Sequence, residues 1–397
     1  MSPCVETELE GARHPMSEDE ICRRLVCIWE KLLAVAPIGV NDNYFDLGGE
    51  SILAIHLFAE IDGTFKVKLP VSVLFEAPTI VELSRIIRHQ TPASGRSTLV
   101  SIQAEGDRPP FFCFHGAGGN VLIYRELAQC LGSDQPVFGL ESQGLDGRYP
   151  PLRTVEEMAA RYIKEITTAQ PHGPYFLGGY CGGGTIAFEA AQQLRALGEG
   201  VALLALFDTM NWSRLPKASF GSRLYYSCQR VTFHAANSLR LGSKGKSKFL
   251  WGKLRVLRNR LPVWWGMMLG PFGPGAQEGK ARSRLLGEIW QANDRACTDY
   301  VPKPYDGVVT DFRPMKQYRM FSRPDLKWSQ LAQGGENIIV VPVYPAGMLL
   351  EPYVRELAAL LRRAMDNALC RCEAKTCSCA AFEATAVELQ PTPTRCT

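Results

Sequence analysis

Four short runs carry residue types that could do chemistry. Gly178-Gly-Tyr-Cys-Gly-Gly-Gly184 sets Cys181 among glycines, after an apolar stretch and before a helical one from Thr185 to Leu197. A nucleophile elbow needs that order, because strand and helix crowd together at a strained turn that carries the nucleophile. Here the tip is a thiol, and a thiol at a helix N-terminus is expected to have a lowered pKa and to be partly ionised. The bland alternative is a buried cysteine in a glycine-rich turn. In Phe114-His-Gly-Ala-Gly-Gly119, the backbone N–H groups of Gly116 and Ala117 could join that of Gly182 in an oxyanion hole. His115 in this loop reads as structural rather than as a base. Asp208 ends the apolar run Ala202–Phe207, which puts a carboxylate at the ligand-binding edge of a buried strand. A simple strand-terminating aspartate competes with that reading. Asp42-Asn-Tyr-Phe-Asp-Leu-Gly-Gly-Glu-Ser51 ends in a serine at a predicted helix start, after a tight turn made by Asp46 and the glycine pair. Unpaired N–H groups at a helix start suit a phosphodiester on that serine. The local pattern by itself fits an ordinary N-cap equally well.

These runs need elements to hold them. Residues 18–90 read as a small four-helix bundle: Ser17 caps a first helix with Ile21, Leu25, Ile28 and Leu32 at helical spacing, and a second helix starts near Ser51. Phe45 and Leu47 are expected to tuck the intervening loop against the bundle. Pro70 and Pro78 open two shorter helical pieces, and residues 91–98, small and polar with a proline, read as a linker. From residue 99 to 363, short apolar runs alternate with helical stretches, at Phe111–Phe114, Val137–Leu140, Tyr175–Leu177, Val201–Phe207, Val308–Phe312 and Ile338–Val343. That alternation predicts a mostly parallel α/β sheet. It stops over about 210–293, a basic and aromatic insertion. Residues 1–17 are expected to be flexible, and residues 364–397 to form a disordered, Cys-containing tail.

Composition narrows the class. With 46% hydrophobic and 21% charged residues, the chain reads as globular. The net charge of +4 gives no reason to expect a nucleic-acid partner. The N-terminus lacks the order of a signal peptide, and the most apolar stretch, Val263–Phe272, is too short and too interrupted to span a bilayer. A cytoplasmic location is expected. Of thirteen cysteines, Cys22, Cys27 and Cys113 fall in apolar segments and read as small buried hydrophobes. An odd count without a secretion signal argues against a disulfide framework.

The run ending at Ser51 resembles the carrier-protein motif of nonribosomal peptide and polyketide synthases. Phe45, Asp46, Leu47, Gly48, Gly49 and Ser51 match a pattern whose serine receives 4′-phosphopantetheine. The resemblance implies that cofactor on Ser51, attached by a phosphopantetheinyl transferase. Residues 99–363 resemble the thioesterase domains that end such assembly lines, on the elbow, the Phe138–Asp146 run and the segment ending at Thr209. That resemblance implies an α/β hydrolase with a helical lid at 210–293, an acyl or peptidyl thioester substrate, Cys181 as nucleophile and Asp208 as acid. No adenylation or condensation region is recognisable, so an upstream synthetase or loading enzyme acting in trans is expected to supply the acyl group.

One part of that pattern fails. The family's base is a histidine shortly before a Met-Leu-x-Glu-Pro stretch; here Met348-Leu-Leu-Glu-Pro352 is present, Pro345 stands at the histidine position, and the last histidine in the chain is His234. Loss of a triad member costs orders of magnitude in turnover, although about 10³–10⁴-fold acceleration can survive from binding and the oxyanion hole. A cysteine depends less on its base than a serine does. The expectation is acyl transfer to an amine, or acyl holding, ahead of hydrolysis. The alternative is a degenerate domain that binds or gates the carrier-borne chain without turnover.

Two features stay open. Between Trp212 and Gln277 there is no Asp or Glu, while Arg223, Arg230, Lys244, Lys253 and others are interleaved with Trp251, Trp264 and Trp265. A solvated lid face, a docking surface for the carrier, and a weaker membrane-surface reading compete there. Cys370-x-Cys372 and Cys377-x-Cys379 lack the spacing and the histidines of a zinc site, so no metal is expected.

Overall fold

A computed structural model describes residues 16–387 except 50, 90–96, 146, 148, 319–326, 346 and most of 215–275, and leaves out the side chains of 51, 52, 276–284 and 372–387. The chain divides into two compact units, one holding residues 1–95 and 254–282 and the other holding 96–253 and 283–397. Among the described residues no helix is long and apolar enough to cross a membrane. The basic lid residues named above lie outside the described residues, as do residues 1–15 and 388–397.

The first unit contains helices α1 (Glu18–Leu33), α2 (Ser51–Phe65), α3 (Val73–Glu76) and α4 (Ile80–His89). Ser17 caps α1 by accepting a hydrogen bond from the Glu20 N–H at 3.2 Å, which satisfies one of the orphan donors of a helix start. The buried stripe of α1 is Ile21, Cys22, Leu25, Trp29 and Leu33. It is rotated from the expected stripe because Trp29, the largest side chain on the helix, takes the interior, leaving Ile28 half-buried and Cys27 exposed. The loop before α2 is plugged by Tyr44, buried and edge-on to Trp29 with ring centres 5.2 Å apart. Phe45 packs on Tyr44 and Phe75 at the rim of this cluster, so Tyr44 does most of the tucking expected of Phe45 and Leu47.

The second unit is built on a seven-stranded sheet in the order β1-β3-β2-β4-β5-β6-β7. Its strands are β1 (Leu99–Gln103), β2 (Phe111–Phe114), β3 (Val137–Leu140), β4 (Tyr175–Tyr180), β5 (Val201–Phe207), β6 (Val309–Pro314) and β7 (Glu336–Val341). Only β1 runs antiparallel, along β3; it is half-buried throughout, so it gives no apolar run of the kind that marks the others. The helices are α5 (Arg125–Leu131), α6 (Val155–Ala169), α7 (Gly182–Ala196), α8 (Ala276–Asp299) and α9 (Val354–Val387). All four residues of β2 are buried, as are five of the six in β4, which is what a two-sided central strand requires. Phe112, Phe114, Tyr162, Leu177, Phe188, Leu204 and Leu206 belong to one core cluster. The ends of β2, β4 and β5 are level, with Phe114 opposite Gly179 and Tyr180 opposite Phe207. Three loops therefore leave one sheet edge side by side, and they carry His115, Cys181 and Asp208.

Two boundaries differ from expectation. The last helix does not stop near residue 363: α9 continues to Val387. Ala364, Met365 and Ala368 are still buried, and beyond them a run rich in alanine contains no glycine or proline before Pro391, so nothing in the chain breaks the helix. Helix α8 begins inside the expected lid and runs past its expected end at 293 as one element.

Candidate functional site

Cys181 sits between β4 and α7 with φ 56° and ψ −121°. A non-glycine residue adopts such a conformation only at a cost of about 1–3 kcal/mol, and such strain clusters where function demands it. The turn is held by the Cys181 N–H donating to Phe207 O at 3.0 Å and by the Gly184 N–H donating to Cys181 O at 3.2 Å. Gly183 permits the crossing: a Cβ there would lie 2.2 Å from Phe114 O. The elbow expected from the glycine spacing is therefore formed, with its helix beginning at Gly182 rather than Thr185.

The thiol itself departs from expectation. It is pushed up to about 12, first by burial and then by the negative charge of Asp208, with Asp294 adding to this. The Gly182 N–H donates a hydrogen bond to the sulfur and pulls the other way. The residue is half-buried, and desolvation outweighs the helix end. The raised value disfavours the partial thiolate expected of a helix-start cysteine.

The oxyanion loop lies against the elbow. A Cβ on Gly182 would be 3.9 Å from Ala117 N. Among the described residues the N–H groups of Gly116 and Ala117 have no hydrogen-bond partner. The loop is fixed from beneath by His115, which is fully buried. Its Nδ1 lies 2.8 Å from Gly116 O and its Nε2 2.7 Å from the Tyr162 hydroxyl. A carbonyl can only accept, so Nδ1 carries the proton and Nε2 accepts from Tyr162. Burial lowers this imidazole to about 4; His115 is a neutral structural strut.

Asp208 follows β5 with φ 44°, and its N–H donates to Phe312 O at 3.0 Å. Burial lifts its carboxyl to about 6. Where the base would stand, Pro345 is buried in the loop after β7. That loop is occupied from the side by Asn237, whose Oδ1 accepts from the Tyr344 N–H at 3.0 Å and whose Nδ2 donates to Tyr344 O at 3.3 Å. Phe233 stacks on Tyr344 with ring centres 5.2 Å apart. His234 lies outside the described residues.

Sequence reasoning missed the contribution of α8. Asn293 Nδ2 donates to Ala117 O at 3.1 Å, and its Oδ1 lies 3.3 Å from Ser142 Oγ. One turn on, Cys297 is buried with its sulfur 3.7 Å from Gly182 O. The only sequence signal was an Asn and a Cys at i and i+4, which any buried helix face could carry.

In the first unit, Ser51 is the first residue of α2. The turn before it uses Gly48 at φ 85°, and Gly49 packs so closely that a Cβ would lie 2.2 Å from the Tyr44 ring. A serine opening a helix of 15 residues, where the first N–H groups have no intrahelical partner, fits a phosphodiester. Among the described residues no group of three or more His, Cys, Asp or Glu could hold a metal; the side chains of Cys372, Cys377 and Cys379 lie outside those residues.

Residues 23–87 match the family model of the phosphopantetheine attachment site, and residues 109–218 match that of the thioesterase domain. A dimodular nonribosomal peptide synthase of Bacillus subtilis (strain 168) is 38% identical over 199 residues, covering 50% of this chain and 8% of that protein. An indigoidine synthase of Dickeya dadantii (strain 3937) is 39% identical over 202 residues, covering 51% of this chain and 14% of that one. The chain thus spans less than a fifth of the length of these relatives. Among solved structures, a four-domain nonribosomal peptide synthetase bound to AMP and glycine superposes with a TM-score of 0.54 at 24% identity, over 91% of this chain and 27% of that one. That last likeness speaks to fold alone.

Proposed function

Starting from a chain in which a phosphopantetheine carrier domain precedes a thioesterase domain, we propose that the protein accepts an acyl or peptidyl thioester, holds the acyl group on Cys181 and passes it to an amine. The observation that carries this reading is the strained elbow conformation at Cys181, kept beside two unoccupied N–H donors although the usual base is absent. A merely structural cysteine has no need of that backbone. On this reading Ser51 bears the cofactor, installed by a phosphopantetheinyl transferase, and an upstream synthetase or loading enzyme supplies the acyl group. When attached, the cofactor arm presents the acyl chain as a thioester. The chain's own residues then do the following. Gly116, Ala117 and Gly182 direct N–H groups at the carbonyl oxygen, where charge develops. Asp208 takes the Cys181 proton. Burial opposes ionisation of the thiol and favours protonation of the carboxyl; the transfer is uphill and is driven by attack on the thioester. Hydrolysis is disfavoured further, because water needs a general base at the Pro345 position and an amine does not.

A second reading, retention of the acyl group without turnover, is favoured by one observation: Asn237 and Phe233 fill the side of the loop where the base would work. The two separate in one assay. Incubating Ser51→Ala protein with a soluble acyl-pantetheine thioester and following intact mass with and without added primary amines should give an acyl adduct on Cys181 that amines discharge as amide. An adduct that amines leave intact would support retention, and free acid without any adduct would defeat both.

A further inference from the structure

The loop after β2, Gly116-Ala-Gly-Gly119, is a turn closed by the Gly119 N–H donating to Gly116 O at 3.0 Å. With three glycines it has little rigidity of its own. The two common turn types differ by a flip of the middle peptide, here the one carrying Ala117 O. Contacts from outside must therefore set it. One is His115, whose Nδ1–H donates to Gly116 O at 2.8 Å; in a trans peptide the Ala117 N–H then points to the opposite side. The other comes from α8. Ile289, Asn293 and Cys297, four apart and all buried, form one ridge of that helix. The ridge starts against Gly119, where a Cβ would lie 3.0 Å from Ile289 Cγ2. It ends with the Cys297 sulfur 3.7 Å from Gly182 O. Just past the helix, Tyr300 fastens it to α7 by donating to Glu189 Oε2 at 2.6 Å. Between the two apolar contacts stands an amide. Asn293 is 1% exposed, donates through Nδ2 to Ala117 O at 3.1 Å and has its Oδ1 3.3 Å from Ser142 Oγ. A buried amide is costly unless paired, and this one is paired to the middle peptide of the turn.

Resting on the acyl-Cys181 reading above, we infer that Asn293 is a positioning residue: it locks the Gly116–Gly119 turn in the conformation that offers the Ala117 N–H to the acyl carbonyl oxygen. Ala117 lies between two peptides, one held by His115 and the other by Asn293, and among the described residues its own N–H has no hydrogen-bond partner. Ala117 N is 3.9 Å from the place a Cβ on Gly182 would take, so the donor fixed in this way stands beside the elbow. A donor set in advance costs no reorganisation when charge develops on the oxygen. Asn293 acts through Ala117 and touches no reacting atom. Attack on a thioester carbonyl draws on such a donor. Alkylation of the same sulfur by iodoacetamide forms no oxyanion and does not.

The test uses the full chain with Ser51→Ala and a soluble acyl-pantetheine thioester, comparing this parent with Asn293→Ala and Asn293→Asp. Acyl-Cys181 formation is followed by intact mass, and iodoacetamide alkylation of Cys181 is measured beside it. Asn293→Ala should lower the maximal acylation rate about 10-fold, less than the roughly 10²–10³-fold of losing a donor outright. The half-saturating thioester concentration and the alkylation rate should not change. Asn293→Asp keeps the shape and the oxygen that faces Ser142. As a carboxylate it has no proton for Ala117 O, and once protonated it has one, so its acylation rate relative to the parent should recover as pH falls from about 8 to about 5. A role in packing alone would slow acylation and alkylation by the same factor, and that result overturns the assignment. Acylation of Asn293→Ala at the parent's rate also overturns it, while the acyl-enzyme stands. If the parent forms no acyl-Cys181, the assignment falls together with the reading it rests on.

Discussion

Cys181 and Asp208 are set against one another by their surroundings. Burial raises the thiol to about 12 and the carboxyl to about 6, so at neutral pH the pair rests as thiol and carboxylate. Alkylation of Cys181, followed by peptide mass spectrometry, should therefore still be accelerating at about pH 10; a plateau below about pH 8 would mean a pre-formed thiolate. Asp208 also has a stability signature. Its folded-state pKa is raised, so its contribution is fully present below the ordinary carboxylate value near 3.8 and is lost as pH rises through about 6. Replacing Asp208 with Asn should then stabilise the fold by about 3 kcal/mol at pH 8 and by little at pH 4, as read by denaturant midpoints at the two pH values. Tyr162 gives a different outcome. Tyr162→Phe removes the donor to His115 Nε2 and leaves a buried acceptor unpaired, which should cost about 1–3 kcal/mol. The same variant should leave the reactivity of Cys181 unchanged, whereas a loss would give His115 a part in the chemistry.

Among the elements, the strand-turn-helix at Cys181 was the most legible, because glycine spacing and an apolar run specify it locally. The same is true of the parallel strands, whose short apolar runs announce burial on both faces. What escaped was set by tertiary packing. Trp29 rather than Ile28 faces the bundle interior because volume, not spacing, decides which side chain fills the middle. The reach of α8 over the elbow depends on where a long insertion returns to the sheet, which no local pattern encodes. The thiol's pKa was misread because a helix end is visible in sequence and desolvation is not. The elbow also makes a sharp element-scale prediction. A methyl group at Gly183 would meet Phe114 O at 2.2 Å, and backbone cannot yield as a side chain can. Gly183→Ala should therefore destabilise the second unit by more than about 3 kcal/mol, measured by thermal unfolding. A near-neutral effect would mean that the strand and helix do not cross this closely.

At the scale of the whole molecule, the chain joins a phosphopantetheine carrier domain to a thioesterase domain. Their identities were readable from two long motifs, whereas the activity was not, because it turns on the base, and Pro345 stands at its position. Ser51→Ala should abolish labelling by a phosphopantetheinyl transferase with coenzyme A while leaving the thermal transition of the second unit in place; labelling that persists would move the attachment site. The acyl-enzyme itself is tested most directly by intact-protein mass spectrometry of Ser51→Ala chain after incubation with an acyl-pantetheine thioester, with Cys181→Ala beside it. We expect a single added acyl group that maps to Cys181 and disappears in Cys181→Ala. An unmodified chain, or an acyl group of the same abundance in Cys181→Ala, would contradict an acyl-Cys181 intermediate.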